Sequence, residues 1–561
     1  MYKRQYLYNP DYSKTYNINQ GALKKTLDVV RHHKDKNRDI IFGSQLPYLS
    51  TYFNWLVLDN LTLSDKKINT IERIFFGEAS FGMESADFKK NKVEITKISS
   101  SSSFDKSQNA WKSWIDLEIT NKEESSWNAE YATIFQLPEG TWISDYYLYV
   151  GNRKEMGILA EKRSALWVFA NIRNENRDPG ILYYLTGKKV AFKVFPFVRN
   201  ELRKTGFELL HKEPIQFNID GHSLNLGDSL IMTEKIVENE HVVYISAKQK
   251  ESLKKVTRKP YFHIVLDVSS PKSLSNLTNS IEKLAKQQSV LMANAKISFV
   301  DAYVSTTNFE KDWKEKSKTS KAGGGFYADR AIKSILFNAY QTQKNLYPVI
   351  VIVSDSFNNA VFEKDFSDWS FSFPESDLFY HLTKDGKLEP HSLLSNPMEV
   401  VSDSFDLNNT HLVWEYKLKN NAVCYLADNK QASILLKSEQ FETKEEEISE
   451  KNWNSALTMQ AQWTSQILHP ETSDKEWLSL VRNSFLTKAM SPVTSYLVVE
   501  NEAQKAILKK KQEQVLASNK SLDLDEDAQR MSEPGLIILT ILLGFMIWLR
   551  RKKKMTDLKL F

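Results

Sequence analysis

The chain has 561 residues, of which 41% are hydrophobic and 26% charged, and 75 Lys and Arg against 70 Asp and Glu leave a net charge of +5. That balance excludes global disorder, and without a basic stripe interleaved with aromatics it gives no sign of a nucleic-acid partner. The one cysteine, Cys424 in the apolar run AVCYLA, excludes an intrachain disulfide and reads as a buried structural thiol.

At about 100–200 residues per domain the length suggests three or four domains. Residues 1–40 read as a polar leader with a charged cluster from His32 to Asp39. Residues 1–20 contain no apolar stretch that could serve as a signal peptide, so a truncated start is expected. From 41 to 214 the signals are strand-like. KVEITKI (92–98) and SWIDLEITN (113–121) alternate, and YATIFQLP (131–138), DYYLYVGN (145–152) and KKVAFKVFPFV (188–198) follow. Ser99 to Ser103 reads as a polyserine loop, and ILAEKRSALWVFANI (158–172) as a helix closed by the turn signal DPG (178–180). Strands at this spacing suggest a β-sandwich. The stretch resembles the VIT (vault protein inter-alpha-trypsin) domain. Asn121, Glu130, Phe135, Leu137, Pro138, Gly151, Glu161, Lys162, Ala165, Phe192 and Pro196 fall in order on the family's positions. The resemblance implies a β-sandwich used for protein interaction, without catalytic residues. Read as residues alone, most of these are core or turn positions, with Glu161 and Lys162 on a solvated helix face.

Residues 215–258 read as connecting strands. Between 259 and 435 short apolar strands alternate with helices: YFHIVLDVS (261–269), helix 274–291, strand AKISFVDAYVS (295–305), helix 327–341 and strand YPVIVIVSDS (347–356). This predicts a doubly wound parallel α/β domain, in which ligands sit beyond the strand C-termini. The stretch resembles a von Willebrand factor A domain. In that family a D-x-S-x-S loop, a distant Thr and a second Asp hold Mg²⁺ through oxygen ligands. Here Asp267 and Ser269 match the first two positions, Pro271 takes the third, no Thr or Ser follows directly on Gly325, and Asp355 matches the second Asp. A degenerate, metal-free site is expected, with a weak Mg²⁺ site as the alternative. A plainer reading also covers both acids, since strand ends in α/β folds often carry Asp as a helix cap.

Residues 436–530 carry a charged run, two helical stretches (454–468 and 475–490), the string SPVTSYLVVENEAQ (491–504) and a solvated, mobile spacer. Ser491, Pro492, Thr494, Ser495 and Val498 resemble the closing strand of proteins that carry the two preceding domains in this order. GLIILTILLGFMIWL (535–549) has no charge, and at about 1.5 Å per residue spans roughly 22 Å. It ends at Arg550, Arg551, Lys552, Lys553 and Lys554, which place that flank in the cytoplasm and the first 530 residues outside. Met531, Ser532, Glu533 and Pro534, then the apolar run, then the basic cluster, resemble the MSEP-CTERM sorting domain of bacterial exosortase systems. Residues 531–555 would make up this signal, and the resemblance implies recognition by an exosortase-type membrane enzyme.

No G-x-S-x-G, H-E-x-x-H, C-x-x-C, Walker A loop or complete G-x-G-x-x-G occurs. Asp267 and Asp355 could in principle serve Mg²⁺-dependent phosphotransfer, but a D-x-D nucleophile motif is missing. The expectation is a multidomain, non-enzymatic protein: a VIT-like β-sandwich, an A-like doubly wound α/β domain, helices and one C-terminal transmembrane helix, in that order. Its expected role is that of a membrane-anchored cell-envelope protein binding a protein partner. The alternative is a Mg²⁺-dependent adhesin.

Overall fold

The computed structural model describes residues 93–517, except 123–128, 175–178, 232, 270–273, 302, 311, 320–324, 343–344, 356, 363, 403–410, 420–421, 438–447 and 471–472. The leader, the sorting motif and the apolar run of the tail lie outside the described residues.

Period-two burial builds the first sheet. In Ala110–Asn121 buried and half-buried side chains alternate, so one face turns to the core. Five antiparallel strands follow the order Val93–Asp105, Ala110–Asn121, Leu202–His211, Thr141–Val150, Arg153–Met156. A second five-stranded antiparallel sheet has the order Ala129–Gln136, Lys189–Phe197, Gly180–Tyr184, Thr494–Val498, Ile158–Glu161. Ile115, Leu117 and Phe207 of the first sheet share one core with Tyr131, Phe135, Phe192 and Tyr496 of the second. Phe135 stacks on Phe207 at 5.3 Å and meets Phe217 edge-on. Burying each such ring is worth about 1.5–3 kcal/mol. Ser99 to Ser103 is strand rather than loop, because each serine pairs with a residue of Ala110–Asn121.

The predicted helix 158–172 divides. Ile158–Glu161 is strand and Lys162–Asn174 helix, since the buried Glu161 carboxylate accepts the N–H groups of Arg163 (3.1 Å) and Ser164 (2.8 Å) and so caps the helix. The solvated-face reading of Glu161 and Lys162 is thereby corrected. Glu161 is buried, and the Lys162 ammonium donates to the Tyr184 carbonyl at 2.5 Å.

The α/β part is a six-stranded mixed sheet, ordered Val304–Asn308, Lys296–Val300, Lys259–Asp267, Leu346–Val353, Leu378–Leu382, Leu388–Ser392. The inner four strands are parallel, and the outer two are antiparallel. Helix Leu274–Gln287 covers one face through Leu277, Ile281 and Leu284, spaced by four and three residues. Helix Ala328–Thr342 covers the other through Ala331, Ile332, Ile335 and Leu336.

The expected series of sandwich, doubly wound domain, helices and one transmembrane helix is corrected in three respects. First, the parts are interwoven. Thr494–Val498 lies between two strands of the sandwich, and residues 412–436 leave the α/β part to pair with Val242–Ile245 and Lys254–Thr257. Second, the α/β sheet is not doubly wound throughout, because tight hairpins at 301–303 and 383–387 replace crossovers at both edges and force antiparallel pairing. Third, among the described residues no helix is long and apolar enough to cross a membrane, and 535–549 lies outside them. The long helix Trp453–Leu468 shows why burial here is not lipid burial. It encloses Ser455, Gln462, Ser465 and Gln466, and Gln462 pairs with Asn483 at 2.8 Å. The expected spacer is also partly ordered, since helix Glu502–Ala517 buries Leu508 and Val515.

Trp453 ties these parts together. It is fully buried, donates from Nε1 to the Gly140 carbonyl at 2.9 Å, and receives Trp142 and Tyr244 edge-on. Its backbone N–H donates to Gln108 Oε1 at 2.7 Å. Beside it, Lys451 pairs with Asp145 (2.7 Å) and Glu208 (3.1 Å). A second seam joins the sandwich turn at Thr186–Lys189 to the α/β part. Gly187 N–H donates to Asp368 at 2.7 Å, and Lys189 pairs with Asp365 at 2.8 Å. Gly187 has φ +59°, and a Cβ there would stand 2.8 Å from Ser367 Cβ, so the seam requires glycine.

Candidate functional site

Parallel strands end together, and three of the four inner strands of the α/β sheet finish in an aspartate: Asp267 as the last residue of Lys259–Asp267, Asp301 just after Lys296–Val300, and Asp355 two residues after Leu346–Val353. The fold thus gathers acids that are far apart in sequence. Asp267 and Asp355, both expected from sequence, come close enough for their charges to interact, and Asp267 and Asp301 do likewise.

Hydroxyls satisfy Asp267 from within the chain. Its Oδ1 accepts the Ser269 N–H at 2.9 Å and the Ser269 hydroxyl at 2.6 Å, and its Oδ2 accepts the Ser354 hydroxyl at 2.6 Å. Burial raises the Asp267 pKa above its usual value. The serine hydrogen bonds oppose this, and Asp355 adds to it. Asp301 shapes its own hairpin, its carboxylate accepting the Tyr303 N–H at 2.7 Å, and its pKa is likewise raised, chiefly by burial and further by Asp267. His381 lies alongside, stacked on Phe357 at 4.7 Å, with its ring 3.4 Å from the Ser354 carbonyl. Deeper in the sheet His263 contacts the Ser298 hydroxyl at 2.8 Å, and burial pushes its pKa down to about 3.

Mg²⁺ takes near-octahedral oxygen coordination. Asp267 and Ser269 bond to each other, and Gly325 is followed by the buried Phe326 and Tyr327 rather than by a threonine or serine. The set falls short of that shell. Among the described residues no group of three or more His, Cys, Asp or Glu side chains is arranged to hold a metal ion. Pro271 and residues 320–324 lie outside them. So do Met531, Ser532, Glu533 and Pro534 and the flank Arg550, Arg551, Lys552, Lys553 and Lys554.

Asp301 and Ser354 are absent from the expected ligand set. The signal for Asp301 is present in the sequence, because ISFVD repeats the pattern of HIVLD, an apolar strand ending in Asp. Reading 295–305 as one strand ran through the turn and hid it. The matched sandwich residues are structural: Phe135, Leu137, Ala165 and Phe192 are buried, the Asn121 side chain donates to the Val198 carbonyl, and Gly151 turns with φ +60°. Cys424 is buried between Trp414 and Leu426 in the small core that joins 243–245 to 412–436. No family model matches the chain, and no curated protein matches it in sequence.

Proposed function

We propose that the chain is a non-catalytic interaction protein of the cell envelope, membrane-anchored and handled by an exosortase-type system, which presents its interwoven sandwich and α/β part to a protein partner. The observation that carries this reading is the closure of Asp267: both carboxylate oxygens accept serine hydroxyls of the same chain, so the strand-end group best placed for chemistry is engaged in holding the fold. The fused seams at Trp453 and Gly187 support it as well, because they present several surfaces in one fixed geometry. The routing part rests on the tail sequence 531–555.

Calorimetric titration of the full chain with Mg²⁺, beside Asp267→Ala, tests the central claim. The expected result is no binding heat from either protein. Binding lost in Asp267→Ala would overturn the reading in favour of a Mg²⁺-dependent adhesin. One observation favours that second reading: Asp301 and Asp355 each repel Asp267 at the strand ends, and a divalent cation would relieve the repulsion. The routing part is tested by co-expression with an exosortase-type enzyme. The intact tail should be processed, and replacing Ser532, Glu533 and Pro534 with alanine should prevent it. Equal processing of both proteins would exclude the sorting role of this motif.

A further inference from the structure

The first sheet of the sandwich has two edges, and they are built differently. One is Arg153–Met156, four residues that include Arg153, Lys154 and Glu155. Short length and charge are the usual protections of an exposed edge. The other is Val93–Asp105, thirteen residues whose one strand partner among the described residues is Ala110–Asn121, so among those residues no strand takes up the N–H and C=O groups of its far side. A register shift between Ile95 and Lys97 interrupts its first part. From Lys97 to Asp105 the register is regular, and Ser99 to Ser103 are uncharged and exposed. Edge strands of this kind pair with other strands, and the pattern of side chains identifies which one.

Antiparallel pairing of the segment with itself about a two-fold axis at Ser101 places Ser100 opposite Ser102 and Ser99 opposite Ser103. It also places Ile98 opposite Phe104 and Lys97 opposite Asp105. Directly opposed residues lie on the same face of a sheet. Ile98 and Phe104 both lie on the inner face, opposite Leu117 and Trp111 of the neighbouring strand, and both are half-buried. Lys97 and Asp105 both lie on the outer face. An apolar pair would thus form on either side of the axis, and Lys97, now 3.8 Å from Glu118 of its own sheet, would add its charge to an Asp105 carboxylate that already accepts from Ser107, Gln108 and Lys112. Moving the axis by one residue to Ser100 sets Ile98 against Ser102 and Lys97 against Ser103, and both matches are lost. The regular segment is self-complementary in one register.

We propose that two copies of this chain associate through Lys97–Asp105, joining their first sheets into one continuous ten-stranded sheet. The inference stands independently of the functional reading above. It leaves the opposite sheet, the α/β part and the strand-end acids free.

Opposed residues in an antiparallel pair have Cα atoms about 4.5–5.5 Å apart, within reach of a disulfide. Ser101 is the one residue of the segment that would meet itself. The native Cys424 is buried, so an introduced thiol can be read alone. The test is mild oxidation of full-length Ser101→Cys and, separately, Ser99→Cys, followed by non-reducing electrophoresis, with sedimentation of the unmodified chain alongside. The expected result is a covalent dimer from Ser101→Cys, at least ten-fold less from Ser99→Cys, and a doubled mass for the unmodified chain at high concentration. Lys97→Asp, which sets carboxylates against each other across the axis, should shift the otherwise native protein to monomer, whereas Lys97→Arg should keep the dimer, because Asp105 is left in place to hold Ser107, Gln108 and Lys112. No dimer from Ser101→Cys, or equal yields from both cysteine variants, would overturn the proposal. Equal yields would mean encounter elsewhere in the chain.

Discussion

At the Trp453 junction, Lys451 stands between Asp145 and Glu208, and Ser144 donates to the same Glu208 at 2.8 Å. At the strand ends, Asp267, Asp301 and Asp355 gather with hydroxyls and backbone amides between them and no cation pairing with Asp267 or Asp301 among the described residues. Both regions bury polar groups. In the first, opposite charges and donors are matched, and the arrangement holds parts of the fold together. In the second, like charges are brought together, and Asp267 and Asp301 accept only from hydroxyls and backbone amides. Matched polarity marks a joint, and gathered like charge marks the place where a site would be sought.

The largest expected effect comes from breaking the joint. Trp453→Ala removes a fully buried indole and leaves the Gly140 carbonyl without its donor, which should cost about 3–5 kcal/mol in chemical denaturation. An effect below about 1 kcal/mol would show that the junction does not hold the parts together. Next comes pH, where a buried histidine of the sandwich and the strand-end acid Asp267 have opposite signs. His211 is buried in the sandwich, in contact with the Ser113 hydroxyl at 2.7 Å and the Glu213 carbonyl at 2.8 Å, and burial pushes its pKa down to about 4 from 6.5. The folded state therefore resists protonation. Stability is full above pH 6.5 and falls as pH drops toward 4, a difference of about 3 kcal/mol. His211→Asn should flatten that acid limb in unfolding curves recorded at pH 7 and 4.5, and an unchanged limb would assign it to other groups.

Asp267 has the opposite sign. Its folded pKa is raised above the unfolded value, chiefly by burial, so the fold favours the protonated acid and loses stability as pH rises from the unfolded pKa through the folded one. The smaller effects follow. Gly187→Ala places a Cβ against Ser367 at positive φ and should cost about 1–3 kcal/mol. No loss would mean that the turn shifts freely. Asp267→Asn removes a charge that burial above all, and Asp355 in addition, disfavours, and should stabilise the protein more at pH 7 than at pH 4 in unfolding curves. A destabilisation at pH 7 would show that the Ser354 hydrogen bond outweighs the cost of burying that charge.

Local patterns were legible in the sequence, and long-range partnership was not. The alternation of 113–121 and the apolar run 346–353 announce their strands because burial on one face or on two leaves different spacings. Asp267 and Asp355 stand out because each follows such a run. The helix at 158–161 misled because Ile158–Glu161 consists of residues that also suit a helix, and only pairing with Thr494–Val498 makes it strand. Ser99 to Ser103 misled for the same reason, since serine has little preference for a strand and the neighbour Ala110–Asn121 decides. The membership of 412–436 in the connecting sheets depends on partners about 160–200 residues away, and no local pattern carries that information.

Thr494–Val498 has a consequence for biosynthesis. It fills the space between Gly180–Tyr184 and Ile158–Glu161, so until it emerges from the ribosome two earlier strands have unpaired flanks and Tyr496 is missing from their core. The sandwich reaches its final form only after residue 498 has been made. A nascent or prematurely terminated chain therefore keeps an open gap in its sheet, which chaperones and proteases can detect, and closure of that gap reports that synthesis has passed residue 498.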